Sequence, residues 1–299
     1  MRIACVTAAL SLRCRSPWCI DMKVVILAGG KGTRLAEETT VRPKPMVEIG
    51  GKPILWHIMR YYAMWGHNDF ILCLGYKSEV IKNYFLSYNG AMLNDFVLDR
   101  GTNGTKLELL SRDLDEWRIT FVDTGINSTI GERLKAVAPY IGDDTFLATY
   151  GDGLTDAPLP DLIETFNESG KTAMFLSVRP QFNVHVVSSD EDGNVLAVED
   201  MSRSHLRING GFFVLKRQIL DLIEPGDELV EETFAQLIAE GELVAYPYEG
   251  FFGAMDTMKD RQRLENMHES GQAPWRCLPL DGIPGLAAPA DVRVEPVGS

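Results

Sequence analysis

A tight run of glycines closes an apolar segment of the chain: Leu27-Ala28-Gly29-Gly30-Lys31-Gly32-Thr33-Arg34-Leu35. Glycine lets backbone amides come close to phosphate oxygens, and Arg34 adds a permanent cation beside them, so the turn has the parts of a phosphate cradle. Two common phosphate loops are excluded by spacing. The triplet Gly170-Lys171-Thr172 has Thr165 where a Walker loop needs its leading glycine. A dinucleotide fingerprint begun at Gly30 would need glycine or alanine where Leu35 stands. A few residues on, Arg42-Pro43-Lys44-Pro45-Met46 pins a lysine between two prolines, which predicts an extended, non-helical backbone there. A lysine so held has little entropy left to lose when it meets a phosphate. Each motif alone has a plainer reading, a chain reversal and a stiff exposed loop, but side by side they favour phosphate binding.

Acidic residues suggest a second half of the chemistry. Asp152 lies between glycines in Tyr150-Gly151-Asp152-Gly153, directly after an apolar strand and therefore at its carboxyl end. Ligands of open α/β sheets bind at that edge, and a carboxylate there suits a hard, oxygen-seeking cation. Asp256, in Met255-Asp256-Thr257, reads from its neighbours as a surface turn residue. Asp190-Glu191-Asp192 has the letters of another metal motif, but Gly193 beside it makes it turn chemistry. His57 falls on a helix and reads as packed, and His67 and His268 carry no signal.

These groups need a scaffold, and the hydrophobic pattern supplies one. Residues 23–28 and 69–75 are short continuous apolar runs of the kind that form parallel strands buried on both faces, and residues 54–64 have helical spacing between them. Together they predict a βαβ unit with a right-handed crossover. Further strands are expected over 117–122, 145–150, 172–178 and 209–215, and helices over 131–140, 159–168, 234–240 and 259–270. Residues 184–189 and 195–198 flank Asp192-Gly193-Asn194 and predict a hairpin. No linker divides residues 22–275, so one domain is expected. Residues 1–21 read as an N-terminal extension outside the fold, and 276–299, rich in Pro, Gly and Ala, as a loose tail.

Composition narrows the partners. With 42 acidic against 29 basic residues the net charge is -13, so the overall field repels nucleic acid and any phosphate must be held by a local cluster of cations, amides or metal. Five cysteines without a Cys-x-x-Cys spacing read as reduced thiols of a cytoplasmic protein. No apolar run reaches membrane-spanning length.

Taken in order, Gly-Gly-x-Gly-Thr-Arg-Leu and Pro-Lys-Pro-Met resemble the sugar-1-phosphate nucleotidyltransferases. Residues 46–59, Val122-Asp123-Thr124-Gly125, residues 131–135, Tyr150-Gly151-Asp152-Gly153, residues 208–214 and Met255-Asp256-Thr257 look like the glucose-1-phosphate cytidylyltransferase branch. The resemblance runs from about 22 to 275. It implies a mostly parallel, helix-flanked nucleotide-binding sheet, Rossmann-like and GT-A-like, with a small β-hairpin substrate region. It implies Mg2+ held by Asp152 and Asp256, and a nucleoside triphosphate, CTP in this branch, lying on Leu27, Ala28, Gly29, Gly30, Gly32, Thr33, Arg34, Lys44, Ser128, Arg133 and Gly151. Arg34 and Lys44 would be the catalytic cations, and Arg133 competes with a solvent-facing reading beside Glu132 and Lys135. The implied reaction is cytidylyl transfer to glucose 1-phosphate, giving CDP-glucose for surface polysaccharide (O-antigen, lipopolysaccharide) or deoxysugar synthesis.

One departure stands out. Where the family carries Glu-Lys-Pro, with the lysine on the sugar phosphate, this chain has Glu199-Asp200-Met201. The charge is inverted, so Glu199, Asn209 and a substitute cation, Arg203 ahead of Arg207, are the expected sugar-phosphate contacts, and His185 and His205 lie in the same altered segment. A uridylyl- or thymidylyltransferase, a glycosyltransferase on a similar sheet and a nucleotide-binding relative without turnover stay open, as do base, sugar and homo-oligomeric state.

Overall fold

The computed structural model describes residues 22–87, 96–101, 104–109, 117–142, 144–180, 184–201 and 205–276. Residues 1–21 and 277–299, expected to be an extension and part of a tail, lie outside them, as does Arg203.

The strands in chain order are β1 (Val24–Leu27), β2 (Glu48–Ile49), β3 (Lys52–Pro53), β4 (Asp69–Leu74), β5 (Phe96–Gly101), β6 (Gly104–Leu109), β7 (Arg118–Asp123) and β8 (Phe146–Tyr150). They continue with β9 (Gly153–Thr155), β10 (Ala173–Val178), β11 (His185–Ser189), β12 (Val195–Asp200), β13 (Ile208–Leu215), β14 (Leu243–Tyr248) and β15 (Phe252–Ala254). Seven of them form the main sheet, in the order β14-β10-β13-β8-β1-β4-β7. All its pairings are parallel except those of β13, which runs antiparallel to both β8 and β10. The sheet is therefore mostly parallel, as the apolar runs predict, and β13 reverses so that its first residues lie at the carboxyl ends of its neighbours.

Both faces of the sheet are covered. Val24, Ile26, Leu72 and Leu147 pack with the helix Ile54–Met64 on one side, while Val25, Ile71, Phe146 and Ala148 pack with Leu134 and Leu220 on the other. Alternate residues of one strand entering opposite cores explain why these strands are uninterrupted apolar runs. The β1-helix-β4 unit appears with its strands parallel and its helix over residues 54–64 as expected. No helix of the described residues is long and apolar enough to cross a membrane.

Two local expectations fail. The helix predicted over 131–140 is broken into Ile130–Ala136 and Ala138–Ile141, because Pro139 has no N–H to continue the ladder. Lys44 is not extended but opens a 3-10 turn, Lys44–Met46. Pro43 takes the extended conformation before it, and Pro45 sits in the first turn, where a missing N–H costs nothing.

Candidate active site

The glycine turn hangs on β1 and β4. Ala28 donates its N–H to the Cys73 carbonyl at 3.0 Å, and the Gly29 carbonyl accepts from the Tyr76 N–H at 3.1 Å, so the loop leaves the sheet from a fixed position. Gly29 is buried, and a Cβ there would lie 2.0 Å from an Arg133 guanidinium nitrogen. Gly30 faces open space, and Gly32 has φ +60, with room for a Cβ limited by the Lys44 stem and the Thr39 methyl, each 3.0 Å away. Thr33 and Arg34 begin a short 3-10 turn whose last residue, Leu35, is buried. The Arg34 side chain is outside the described part of the structure. Gly151 closes the floor, since a Cβ there would meet the Pro45 ring and the Leu27 carbonyl at 3.0 and 3.1 Å.

Lys44 is the centre of the site. Its ammonium donates to Asp152 Oδ2 at 2.6 Å and to Asp256 Oδ1 at 2.7 Å. Burial alone would disfavour the ammonium, but the two carboxylates outweigh it and raise the pKa above the ordinary lysine value. Asp256 reaches this position because β15 pairs with β9 in antiparallel register, Ala254 opposite Gly153, and Met255 donates its N–H to the Asp152 carbonyl at 3.0 Å. The residue that reads as a surface turn is thus delivered to the sheet edge by a pairing between distant segments. Nothing in its local sequence signals this.

The chemistry of that donor set fits a divalent cation. Two carboxylates from separate segments converge on one positive charge, at the sheet edge where the glycine turn lies. Among the described residues no group of three or more His, Cys, Asp or Glu side chains gathers to hold a metal. Two carboxylates are nonetheless enough for a small divalent ion that would draw its other oxygens from substrate and water.

Arg133 is neither solvent-facing nor free. It is 5% exposed, and its guanidinium donates to the Thr124 hydroxyl at 2.9 Å and to the carbonyls of Leu74 at 3.4 Å and Ile126 at 3.5 Å. Burial lowers its pKa, with Cys73 and Asp123 opposing. It packs behind Gly29 and Gly75, where it braces the glycine turn from beneath. Ser128 donates its hydroxyl to the Thr124 carbonyl at 2.5 Å, one residue before a Thr129–Glu132 capping box that starts the Arg133 helix.

The residues expected to meet a sugar phosphate are less closely gathered. Asn209 accepts the Gly211 N–H at 2.8 Å and bonds the Tyr150 hydroxyl, and the Tyr150 ring covers Gly211, which has φ +74. Burial and then the nearby Asp152 push the Tyr150 hydroxyl up to about 12. Glu199 is exposed on the β11–β12 hairpin, a sheet of its own, as are His185 and, farther on, His205. Arg207 instead spans the ends of β10 and β14, donating to the Ser177 carbonyl at 2.8 Å and the Tyr248 carbonyl at 3.3 Å, and pairing with Glu249. His57 is packed as expected, its Nε2 2.9 Å from the Ile49 carbonyl. His67, which carries no signal in the sequence, is buried, with its Nδ1 accepting the Met22 N–H at 3.1 Å.

A glycine turn on a buried parallel strand, with a lysine and two carboxylates at the same edge, defines an α/β protein equipped to handle phosphates. Comparison with known proteins specifies the class. The nucleotidyl transferase family model matches residues 23–252. The glucose-1-phosphate cytidylyltransferases of Salmonella typhi and Salmonella typhimurium are each 44% identical over 258 residues, which is 85% of this chain and 99% of theirs. Among solved structures, HddC from Yersinia pseudotuberculosis superposes with a TM-score of 0.60 at 22% identity, over 83% of this chain and 99% of that one, and so shares the fold. The chain belongs to the nucleotidyl transferase family, and is a transferase.

Proposed function

We propose that this enzyme transfers a cytidylyl group from CTP to glucose 1-phosphate, giving CDP-glucose and pyrophosphate. The observation that carries the reading is the convergence of Asp152 and Asp256 on Lys44 beside the glycine turn. The 44% identity to cytidylyltransferases over nearly their whole length supports the choice of base and sugar.

An oxygen of the sugar phosphate attacks the α-phosphorus of CTP in line. The new P–O bond forms as the bond to the α,β-bridging oxygen breaks, and pyrophosphate leaves with the electron pair. A phosphate monoester is already largely anionic near neutral pH, so no side chain has to act as general base. The amides from Gly29 to Thr33 hold and orient the triphosphate, and Lys44 and Arg34 neutralise charge on the transferring and departing oxygens. Arg133 keeps the turn rigid from below, and Ser128 stands next to it on the nucleotide side. Mg2+ held by Asp152 and Asp256 would add charge neutralisation and alignment of the phosphates. With Asp200 in place of the family lysine, Arg207 is the described cation that its segment brings to the carboxyl edge, and Asn209 and Glu199 complete the sugar side of the proposal. The substrates, together with the free Cys73 thiol, support a cytoplasmic setting.

Pyrophosphate release measured with CTP, UTP and dTTP against a panel of sugar 1-phosphates tests this. Release is expected to be fastest with CTP and glucose 1-phosphate, and to require a divalent ion. Nucleotide binding without release from any pair would overturn the catalytic reading in favour of a regulatory one.

A further inference from the structure

The two carboxylates at Lys44 depend on a very small piece of structure. β9 and β15 are three residues each and form a two-stranded sheet separate from the main one. An isolated pair of such short strands has little stability of its own. Leu154, Phe252 and Met255 seat it on the main core, but apolar packing is not directional, so a polar tie is also needed if Asp152 and Asp256 are to keep their spacing.

Asp156, directly beyond β9, makes that connection. Its Oδ1 accepts the Phe251 N–H at 2.8 Å and the Tyr248 hydroxyl at 2.6 Å. Thr155 adds a bond from its hydroxyl to the Phe251 carbonyl at 2.8 Å. Tyr248 is the last residue of β14 and pairs with Val178 of β10, so it belongs to the main sheet. The chain between it and β15 turns at Gly250, where a Cβ would lie 2.2 Å from the Tyr248 hydroxyl oxygen, and the phenol can fold back only over a glycine. A single carboxylate oxygen therefore ties the end of β14, the turn into β15 and the end of β9 together.

We propose that Asp156 is a positioning residue that sets the separation of Asp152 and Asp256 and thereby the strength with which they hold a divalent ion. This rests on the reading of those two aspartates as the metal ligands. Asp156 acts at a distance from the ion, through the register of β15 on β9. The acceptor geometry gives the idea a specific signature. Both bonds fall on one oxygen, so Asp156→Asn, with its amide Oδ1 there, preserves the clamp, whereas Asp156→Ala abolishes it and Tyr248→Phe removes half of it.

Binding of Mn2+ to the full-length protein, followed by the electron paramagnetic resonance signal of the free ion, reads this directly without turnover. Asp156→Ala should weaken Mn2+ binding roughly 10- to 100-fold, the range for partners that orient metal ligands. Asp156→Asn should stay within about threefold of wild type, and Tyr248→Phe, which keeps the buried ring and tests the clamp even if the alanine variant fails to fold, should fall between. Wild-type affinity in a folded Asp156→Ala or in Tyr248→Phe overturns the proposal. Asp152→Asn is the control: if it leaves Mn2+ binding unchanged, the metal reading itself fails, and the clamp has no ligand pair to position.

Discussion

Replacing Lys44 by methionine keeps the unbranched stem against Gly32 and deletes only the charge. The two carboxylate oxygens, at 2.6 and 2.7 Å from the ammonium, can be no more than about 5 Å apart, so without it they face each other as like charges. At an effective dielectric constant of about 20 that repulsion is about 3 kcal/mol. Asp152 and Asp256 are 28% and 22% exposed, which lets water and small side-chain movements relieve part of it, leaving about 2 to 3 kcal/mol of lost stability. For a domain of this size the melting temperature in EDTA should drop by roughly 5–10 °C. Millimolar Mg2+ should recover most of that loss, and should raise the melting temperature of the variant more than that of wild type, because a divalent ion can take over the neutralising role. Turnover should not recover: kcat for pyrophosphate release stays down by about 100- to 1,000-fold, the cost of one preorganised charge contact. A Lys44→Met protein that melts like wild type in EDTA, or turns over within tenfold of it, would refute the view that this ammonium serves both the resting carboxylates and the reacting phosphates.

Gly29→Ala should collide with the Arg133 guanidinium and crowd the Gly75 amide, at 2.0 and 3.0 Å, so calorimetry should show CTP binding weakened at least about tenfold, roughly 1.4 kcal/mol. Pairing it with Arg133→Ala, which opens the space, should recover part of the binding, and simple additivity of the two losses would contradict the bracing role. The histidines set an acid limit: burial pushes His57 and His67 down from 6.5 to about 4, so both fold neutral while the unfolded chain protonates first. Stability is therefore complete above about pH 6.5 and falls towards pH 4 by up to about 3 kcal/mol per ring. Chemical denaturation across that window should show a shallower decline for a His67→Gln variant than for wild type, and parallel profiles would dismiss the assignment.

The parts of this site written in consecutive residues are legible from sequence. The glycine turn, the apolar runs of β1, β4 and β8 and the 54–64 helix each carry their signal within a few positions, because local conformation and two-sided burial act on neighbours. What escapes is whatever depends on distant pairing. Asp256 reaches Asp152 only through a three-residue strand whose partner is about a hundred residues earlier, and Asp156 and Tyr248 meet by the same route. Arg133 has the look of a surface residue between Glu132 and Lys135, yet three oxygen acceptors from other segments make its burial tolerable. At Lys44 the prolines do restrict the backbone, but to a turn and not to an extended strand. The direction of β13 is likewise invisible in its composition, since a buried strand is apolar whichever way it runs.

The short ladder of β9 on β15 also orders events as the chain is made. Lys44 and Asp152 leave the ribosome early, and at translation rates of about 5–20 residues per second some 5–20 s pass before Asp256 follows. Until then the lysine has one acidic neighbour, and the glycine turn has one carboxylate beside it instead of two. A nascent chain stalled before residue 252 should thus contain most of the sheet while being unable to gather both aspartates. Completion of synthesis, more than formation of the core, is the moment at which Lys44 gains both of its acidic partners.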